Sequence, residues 1–290
     1  MSRKPVSYPP RLSHLMVEEA VKSALLEDLG LAGDVTSDAT IPPKAKAEVV
    51  MNVRESGTIA GMDIAAAAFR AVDQSVKFKA LVKDGDRVKG GKNIAKISGP
   101  ARSVLSAERV ALNYLCHLSG IASYTSLFAD KIAHTKAQVC CTRKTIPGLR
   151  AFEKYAVKCG GGSNHRYGLD DAILIKDNHI AVAGGVSKAI EAARAFAGHL
   201  IKIEVEVDNL RQLKQVLKAG ADVVMLDNMS LDQLRAGVEL VDGQIPVEAS
   251  GNVNIDTIQA IAETGVDYIS TSKITMSAPT LDIGLDIAIR

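Results

Sequence analysis

In the second half of this 290-residue chain, short β-rich runs recur with helical stretches between them, and this rhythm limits the fold more than any other feature. The runs are 137–142, 172–176, 201–207, 222–226, 245–249 and 267–271. Residues 189–196, 210–219, 231–240 and 256–264 carry apolar side chains at helical spacing. Strands that alternate with helices pair in parallel, because the helix returns the chain to the edge where the last strand began. Six such units predict a parallel α/β barrel, whole or incomplete. A doubly wound open sheet has the same rhythm and differs only in strand order.

The first half reads as α+β. Leu15, Val21, Leu25 and Leu29 fall near one face of a helix over 12–29, with Ser13 as N-cap and Gly30 as stop. Strands are expected over 47–54, 76–82 and 94–97, and a helix over the Ala-rich 63–72. Asp84-Gly85-Asp86 and Lys89-Gly90-Gly91 predict a tight strand–turn–strand corner. Residues 103–133 read as a long helical stretch interrupted near Gly120. The basic, Pro-containing start, 1–11, reads as a frayed arm without the apolar core of a signal peptide.

Charge and composition exclude several classes. Lys+Arg 35 against Asp+Glu 33 leaves a net charge of +2, which argues against a general nucleic-acid binder. No apolar run approaches the ~18 residues of a membrane span. Cys116, Cys140, Cys141 and Cys159 lack zinc-site spacing and read as buried thiols in a reducing cytoplasm.

In a parallel barrel the C-terminal ends of the strands share one rim, and active sites sit there. The residues at those ends are Arg143-Lys144, Lys176, Glu204 with Glu206, Asp227-Asn228, Ser250-Gly251-Asn252 and the stretch from Ser270 to Lys273. Arg143, Lys144, Arg166 and Lys176, with His165, point to a polyanionic ligand, since Arg matches carboxylate or phosphate in a bidentate way. Lys176 ends an apolar run and needs an anionic partner if buried. Arg150, Lys154 and Lys158 read as solvated surface charge. The glycine run 160–162, just before Ser163-Asn164-His165-Arg166, would let backbone approach a ligand. Glu206 and Asp227 could hold Mg²⁺ with substrate oxygens, stabilise charge on a sugar ring, or cap the helices that follow them. Ser250-Gly251-Asn252 suits a sugar phosphate.

Several segments, in order, resemble the quinolinate phosphoribosyltransferase family. They are Glu27-Asp28-Leu29-Gly30, Ser106-Ala107-Glu108-Arg109, Thr142-Arg143-Lys144-Thr145, the stretch from Gly160 to Arg166, Leu174-Ile175-Lys176-Asp177-Asn178-His179, Glu204-Val205-Glu206-Val207, Leu226-Asp227-Asn228 and Glu248-Ala249-Ser250-Gly251-Asn252. The resemblance implies an N-terminal α/β sandwich over 1–118, rejoined by 277–290, and an incomplete parallel α/β barrel over 119–276 of the type II phosphoribosyltransferase kind. It also implies decarboxylating transfer of phosphoribose from 5-phosphoribosyl pyrophosphate to quinolinate, giving nicotinate mononucleotide for NAD biosynthesis.

By the same resemblance, Lys144, Lys176, Glu206 and Asp227 are catalytic, and Glu206 and Asp227 hold Mg²⁺. Arg143, Lys144, His165, Arg166 and Lys176 would bind quinolinate, joined by Arg109 reaching across a homodimer with a shared site; a hexamer is the larger assembly to consider. Ser250, Gly251, Asn252, Ser272 and Lys273 would bind the phosphoribosyl group. Many members carry Gly-Ala-Leu-Thr-His where this chain has Ser272-Lys273-Ile274-Thr275-Met276. The competing readings are a transferase for another pyridine carboxylate, a Schiff-base aldolase using Lys176, and a non-catalytic sugar-phosphate binder.

Overall fold

The computed structural model describes residues 11–287. The start of the chain, expected to fray, lies outside them apart from Arg11. The chain forms two compact units. The first holds the chain up to Tyr124, Ala151–Gly161 and the chain from Ala278 onward; the second holds Thr125–Arg150 and Gly162–Ser277. Ala151–Gly161 thus belongs with the first unit, although it lies within the stretch the sequence assigns to the barrel.

The first unit begins with α1 (His14–Leu29) and α2 (Val35–Thr40), then β1 (Lys46–Val53), β2 (Gly57–Thr58) and α3 (Met62–Val72). It continues through β3 (Lys77–Ala80), β4 (Arg87–Val88), β5 (Asn93–Pro100) and most of α4 (Ala101–Lys131). α1 runs from Ser13 to Gly30 as the sequence predicts, but it buries Val17, Val21 and Leu25. Leu15 is exposed, because it sits roughly 200° around the helix from Val17. β1 alternates as a half-buried strand should, with Ala47, Val49, Met51 and Val53 inside.

The corner at Lys89-Gly90-Gly91 forms, with Lys92 N–H donating to Lys89 O at 3.1 Å. It does not close a hairpin. β4 pairs with β2, and β5 pairs with β1 and β3, so the turn passes the chain between two sheets. α4 runs unbroken through Gly120. A Cβ there would meet Pro279 O at 2.1 Å, so this glycine admits a close chain crossing and does not interrupt the helix. Ser123 and Ser119, on the same helix, accept from Thr58 N–H at 2.7 Å and Ala60 N–H at 3.0 Å.

The second unit opens with the end of α4 and β6 (Gln138–Cys140). α5 (Arg150–Cys159) comes next along the chain, belongs from Ala151 onward to the first unit, and buries Phe152, Glu153, Lys154, Ala156 and Val157. Lys154 is fully covered, so the expectation of solvated charge is wrong there; it holds for Lys158, which is exposed. Three apolar neighbours, Phe152, Ala156 and Val157, carry both charged groups inward on one amphipathic helix, which charge counting could not reveal. Arg150 is half-buried and donates to Thr145 Oγ1 at 3.1 Å and Tyr167 O at 3.1 Å.

β7 (Ile173–Ile175), α6 (Asp177–Ala183), α7 (Val186–Phe196), β8 (Ile203–Val207), α8 (Leu210–Ala219) and β9 (Val223–Asp227) come next. The unit ends with α9 (Leu231–Val241), β10 (Val247–Ser250), α10 (Ile258–Ala262), β11 (Tyr268–Ser270) and α11 (Lys273–Met276). β12 (Ile283–Ile287) returns to the first unit and pairs antiparallel with β1, completing the sheet β12-β1-β5-β3.

The six parallel strands stand in the order β6-β11-β10-β9-β8-β7. The order runs steadily from β7 to β11 and then adds β6. That is the order of a barrel opened between its first and second strands; a doubly wound sheet reverses direction midway. An isolated parallel bridge joins Cys140 to Ser163 at the open edge. The four cysteines form no disulfide; Cys140 and Cys141 are buried as expected, whereas Cys116 and Cys159 are only partly covered. Among the described residues, no helix is long and apolar enough to cross a membrane.

Candidate active site

Residues paired across a parallel ladder point to one face of the sheet. Leu174 pairs with Glu204, Glu204 with Val223, Glu206 with Met225, and Met225 with Glu248. Asp227 pairs with Ser250 in the same register. The inward face therefore carries a row of acids where a barrel normally packs branched apolar side chains. Above it, at the strand C-terminal ends, lies a cleft of about 790 Å³.

Arg143, Lys144, His165, Arg166, Lys176, Glu206, Asp227, Ser250, Gly251, Asn252, Ser272 and Lys273 all line this cleft. The structure thus gathers every sequence-derived site residue except Arg109, which is exposed on α4 in the first unit. Asn228 and Thr271, which the strand ends place on the rim, also line it, and so do Thr142, Glu248 and Val253, to which the sequence assigns no site role. For Glu248 the signal was available: it stands two residues before Ser250, and strand periodicity puts both on one face.

The cations are held in place from behind. Thr275 Oγ1 donates to Lys144 O at 2.8 Å, so α11 buttresses the loop after β6. That contact comes from the segment where this chain departs from the Gly-Ala-Leu-Thr-His pattern. His179 Nδ1 accepts from Lys176 N–H at 2.9 Å and so caps α6 and orients the lysine. Lys176 Nζ is ion-paired with Glu206 Oε2, which supplies the anionic partner its position demands.

Arg166 is half-buried, and its Nη1 donates to Ala172 O at 2.9 Å. Its Nε is buried without a hydrogen-bond partner, an open donor in a cationic pocket. Burial, and then the like charge of Arg143, push the Arg166 guanidinium down from its ordinary value. Two such cations side by side are costly unless an anion joins them.

His165 is engaged on both ring nitrogens. Nδ1 accepts from Arg166 N–H at 2.9 Å, and Nε2 faces Glu204 Oε2 at 2.9 Å. The glycine run serves to turn the chain. Gly161 has φ +85 at the end of α5, and Ser163 N–H then reaches Val139 O at 2.8 Å. That bridge delivers His165 and Arg166 to the cleft, while the glycines stay outside its lining.

The loop after β10 is built for a close approach. Gly251 has φ +95, and Asn228 and Asn252 are left-handed at φ 52 and φ 53. A Cβ on Gly251 would lie 2.2 Å from Asn228 Oδ1 and 3.0 Å from its backbone N. Successive backbone N–H groups in such a turn form an anion-binding concavity. α10 begins only at Ile258, so the loop itself, and not a helix start, offers these groups.

An open α/β barrel with a cationic rim, two inward acids and an anion-binding loop is the site of an enzyme acting on anionic substrates. The chain matches the family models for the quinolinate phosphoribosyl transferase N-terminal domain over residues 34–119 and C-terminal domain over residues 121–286. It belongs to the quinolinate phosphoribosyl transferase family. It is 42% identical over 279 residues to the probable nicotinate-nucleotide pyrophosphorylase [carboxylating] of Bacillus subtilis, covering 96% of each chain. Its fold is similar to that of NadC from Streptococcus pyogenes, with a TM-score of 0.92 and 41% identity over 97% of this chain and 100% of that one. The nicotinate-nucleotide pyrophosphorylase from Francisella tularensis superposes with a TM-score of 0.91 at 36% identity, covering 97% of this chain and 99% of the other.

Proposed function

We propose that this protein transfers phosphoribose from 5-phosphoribosyl pyrophosphate to quinolinate and releases pyrophosphate and carbon dioxide, forming nicotinate mononucleotide for NAD biosynthesis. The observation that carries this reading is the cation set on one rim. A ring with two carboxylates needs several positive groups, and Arg143, Lys144, Arg166 and Lys176 line a single cleft. His165 contributes its ring edge and the placement of its neighbour.

The donor's phosphates occupy the opposite side, against Ser250, Gly251 and Asn252, with Ser272 and Lys273 beside them. Glu206 and Asp227 suit a hard divalent cation, since both are carboxylates on the inward faces of adjacent strands. Mg²⁺ bound there would neutralise charge on the leaving pyrophosphate. The same carboxylates stabilise positive charge on the ribose ring as the bond to pyrophosphate breaks.

The ring nitrogen attacks the anomeric carbon and forms the new bond. The cationic ring then accepts the electron pair left when the neighbouring carboxylate departs as carbon dioxide, and a proton adds at that carbon. No enzyme nucleophile is needed. Lys176 Nζ is engaged with Glu206 on a rim lined by further cations, an arrangement that suits anion binding better than the imine chemistry of an aldolase.

Arg109 is assigned to the partner subunit's site in a homodimer. Its exposed position on α4 leaves it available for that role. Mixing Arg109→Ala with Lys144→Ala subunits is then expected to restore about a quarter of wild-type turnover by random pairing into hybrid dimers. No recovery despite confirmed subunit exchange would remove the shared site. Cysteines held as thiols fit a reducing, cytoplasmic setting.

The phosphate assignment makes its own prediction. Gly251→Ala should raise the donor KM about tenfold, from the strain and the crowding at Asn228, and hold the quinolinate KM within about threefold. Initial-rate kinetics in both substrates checks this. The reaction itself is tested with quinolinate labelled with ¹³C in the carboxylate next to the ring nitrogen. Labelled carbon dioxide in one-to-one ratio with pyrophosphate supports it; pyrophosphate without labelled carbon dioxide overturns it.

A further inference from the structure

Below the cationic rim, the barrel interior holds Glu204 and Glu248 against His165. Their ligand atoms all lie within 4.8 Å of one another. Glu204 keeps 9% of its surface exposed and Glu248 4%. Oε1 of each has no hydrogen-bond partner. Two buried carboxylates and an imidazole in place of branched apolar side chains are costly, so the cluster is there for something other than stability.

The hydrogen bonds have a direction. Arg166 N–H can only donate, so His165 Nδ1 must accept and carries no proton. The ring proton is then on Nε2, pointed at the Glu204 carboxylate at 2.9 Å. Glu248 Oε1 stands 3.9 Å from the same Nε2. Glu248 sits on β10, two strands from Glu204 on β8, and faces Glu204, Glu206, His165 and Ser270. Burial, and then the charge of Glu204, push the Glu248 carboxyl up from its ordinary value.

We propose that Glu204, supported by Glu248, is the positioning residue of the ring pocket: it fixes His165 in the Nε2–H tautomer, and the His165 ring in turn anchors the Arg166 main chain so that its guanidinium meets the substrate carboxylates. The chain of contacts runs from β10 and β8 through the His165 ring to the Arg166 backbone. His165 therefore acts on the substrate mainly through its neighbour, since its own nitrogens are occupied.

The tautomer is read directly on the free wild-type protein by long-range ¹H–¹⁵N correlation of ¹⁵N-histidine, with His165 assigned by its loss in His165→Gln. This readout stands apart from the proposed reaction, while the kinetic readout rests on it. The Nε2–H pattern is expected. An Nδ1–H pattern in wild type would overturn the proposal whatever the variants do. Glu204→Leu is expected to lose the pattern and raise the quinolinate KM at least about tenfold, with the donor KM and kcat within about threefold. Glu204→Gln, which keeps an accepting oxygen, is expected to restore the tautomer and most of the affinity. An unchanged quinolinate KM in a folded Glu204→Leu protein, or an equal rise for both substrates, would contradict it. So would one equivalent of tightly held divalent metal that Glu248→Gln releases, which would make the cluster a metal site instead.

Discussion

Arg166→Ala is expected to raise the quinolinate KM by roughly 10²–10⁴-fold and to leave the donor KM within about threefold. The size follows from a charged fork in a half-buried site. Each charge-assisted hydrogen bond contributes about 1.5–3 kcal/mol, two are lost, and every 1.4 kcal/mol is about tenfold. The Ala172 carbonyl also loses the donor it has at 2.9 Å. Arg166→Lys keeps the charge and loses the fork, so it should recover only part of the affinity. Isothermal titration with each substrate separates the cases. Equal losses for quinolinate and donor would show that Arg166 is a scaffold residue and not a carboxylate ligand.

The second large effect is on turnover. Glu206→Gln keeps shape and removes charge, and we expect kcat to fall by roughly 10²–10³-fold, the magnitude typical of one electrostatic stabiliser. The same change leaves the Lys176 ammonium without its ion-pair partner. If Glu206 shares a divalent ion with Asp227, the Mg²⁺ concentration for half-maximal rate should rise at least about tenfold in both Glu206→Gln and Asp227→Asn. A Mg²⁺ titration of rate checks this. Full kcat in Glu206→Gln would remove this acid from the chemistry and leave it as the partner of Lys176.

Much of the fold is legible in the sequence because its signals are local. The alternation of β runs and helical stretches places all six barrel strands within a few residues, since each run is rich in β-branched residues and set off by helical spacing on either side. Strand order is not local, and the steady run from β7 to β11, with β6 added beside β11, is what distinguishes the open barrel from a doubly wound sheet. Gly120 misleads for the same reason: a glycine that breaks a helix and one that admits a crossing chain look alike until Pro279 is placed beside it. Lys154 misleads because its burial depends on what packs over α5.

The site divides along the same line. The rim residues were legible because strand ends converge and charges there are conspicuous. Glu204 was legible at a strand end and Glu248 by its spacing from Ser250, but that the two meet inside the barrel needed the register through Val223 and Met225. His165 was legible as a site residue, but the occupation of both nitrogens needed coordinates. The Thr275 hydroxyl holding Lys144 in place likewise joins residues far apart in the chain.

The central claim is that the rim recognises two adjacent ring carboxylates and that one of them leaves. The most direct measurement is nicotinate mononucleotide formation from 5-phosphoribosyl pyrophosphate and Mg²⁺ with quinolinate or nicotinate as acceptor, side by side. Product is expected from quinolinate and none above background from nicotinate, which would give the same nucleotide without loss of carbon dioxide but lacks the second carboxylate that the rim cations hold. Comparable product from nicotinate, or none from quinolinate with folded protein, would contradict it.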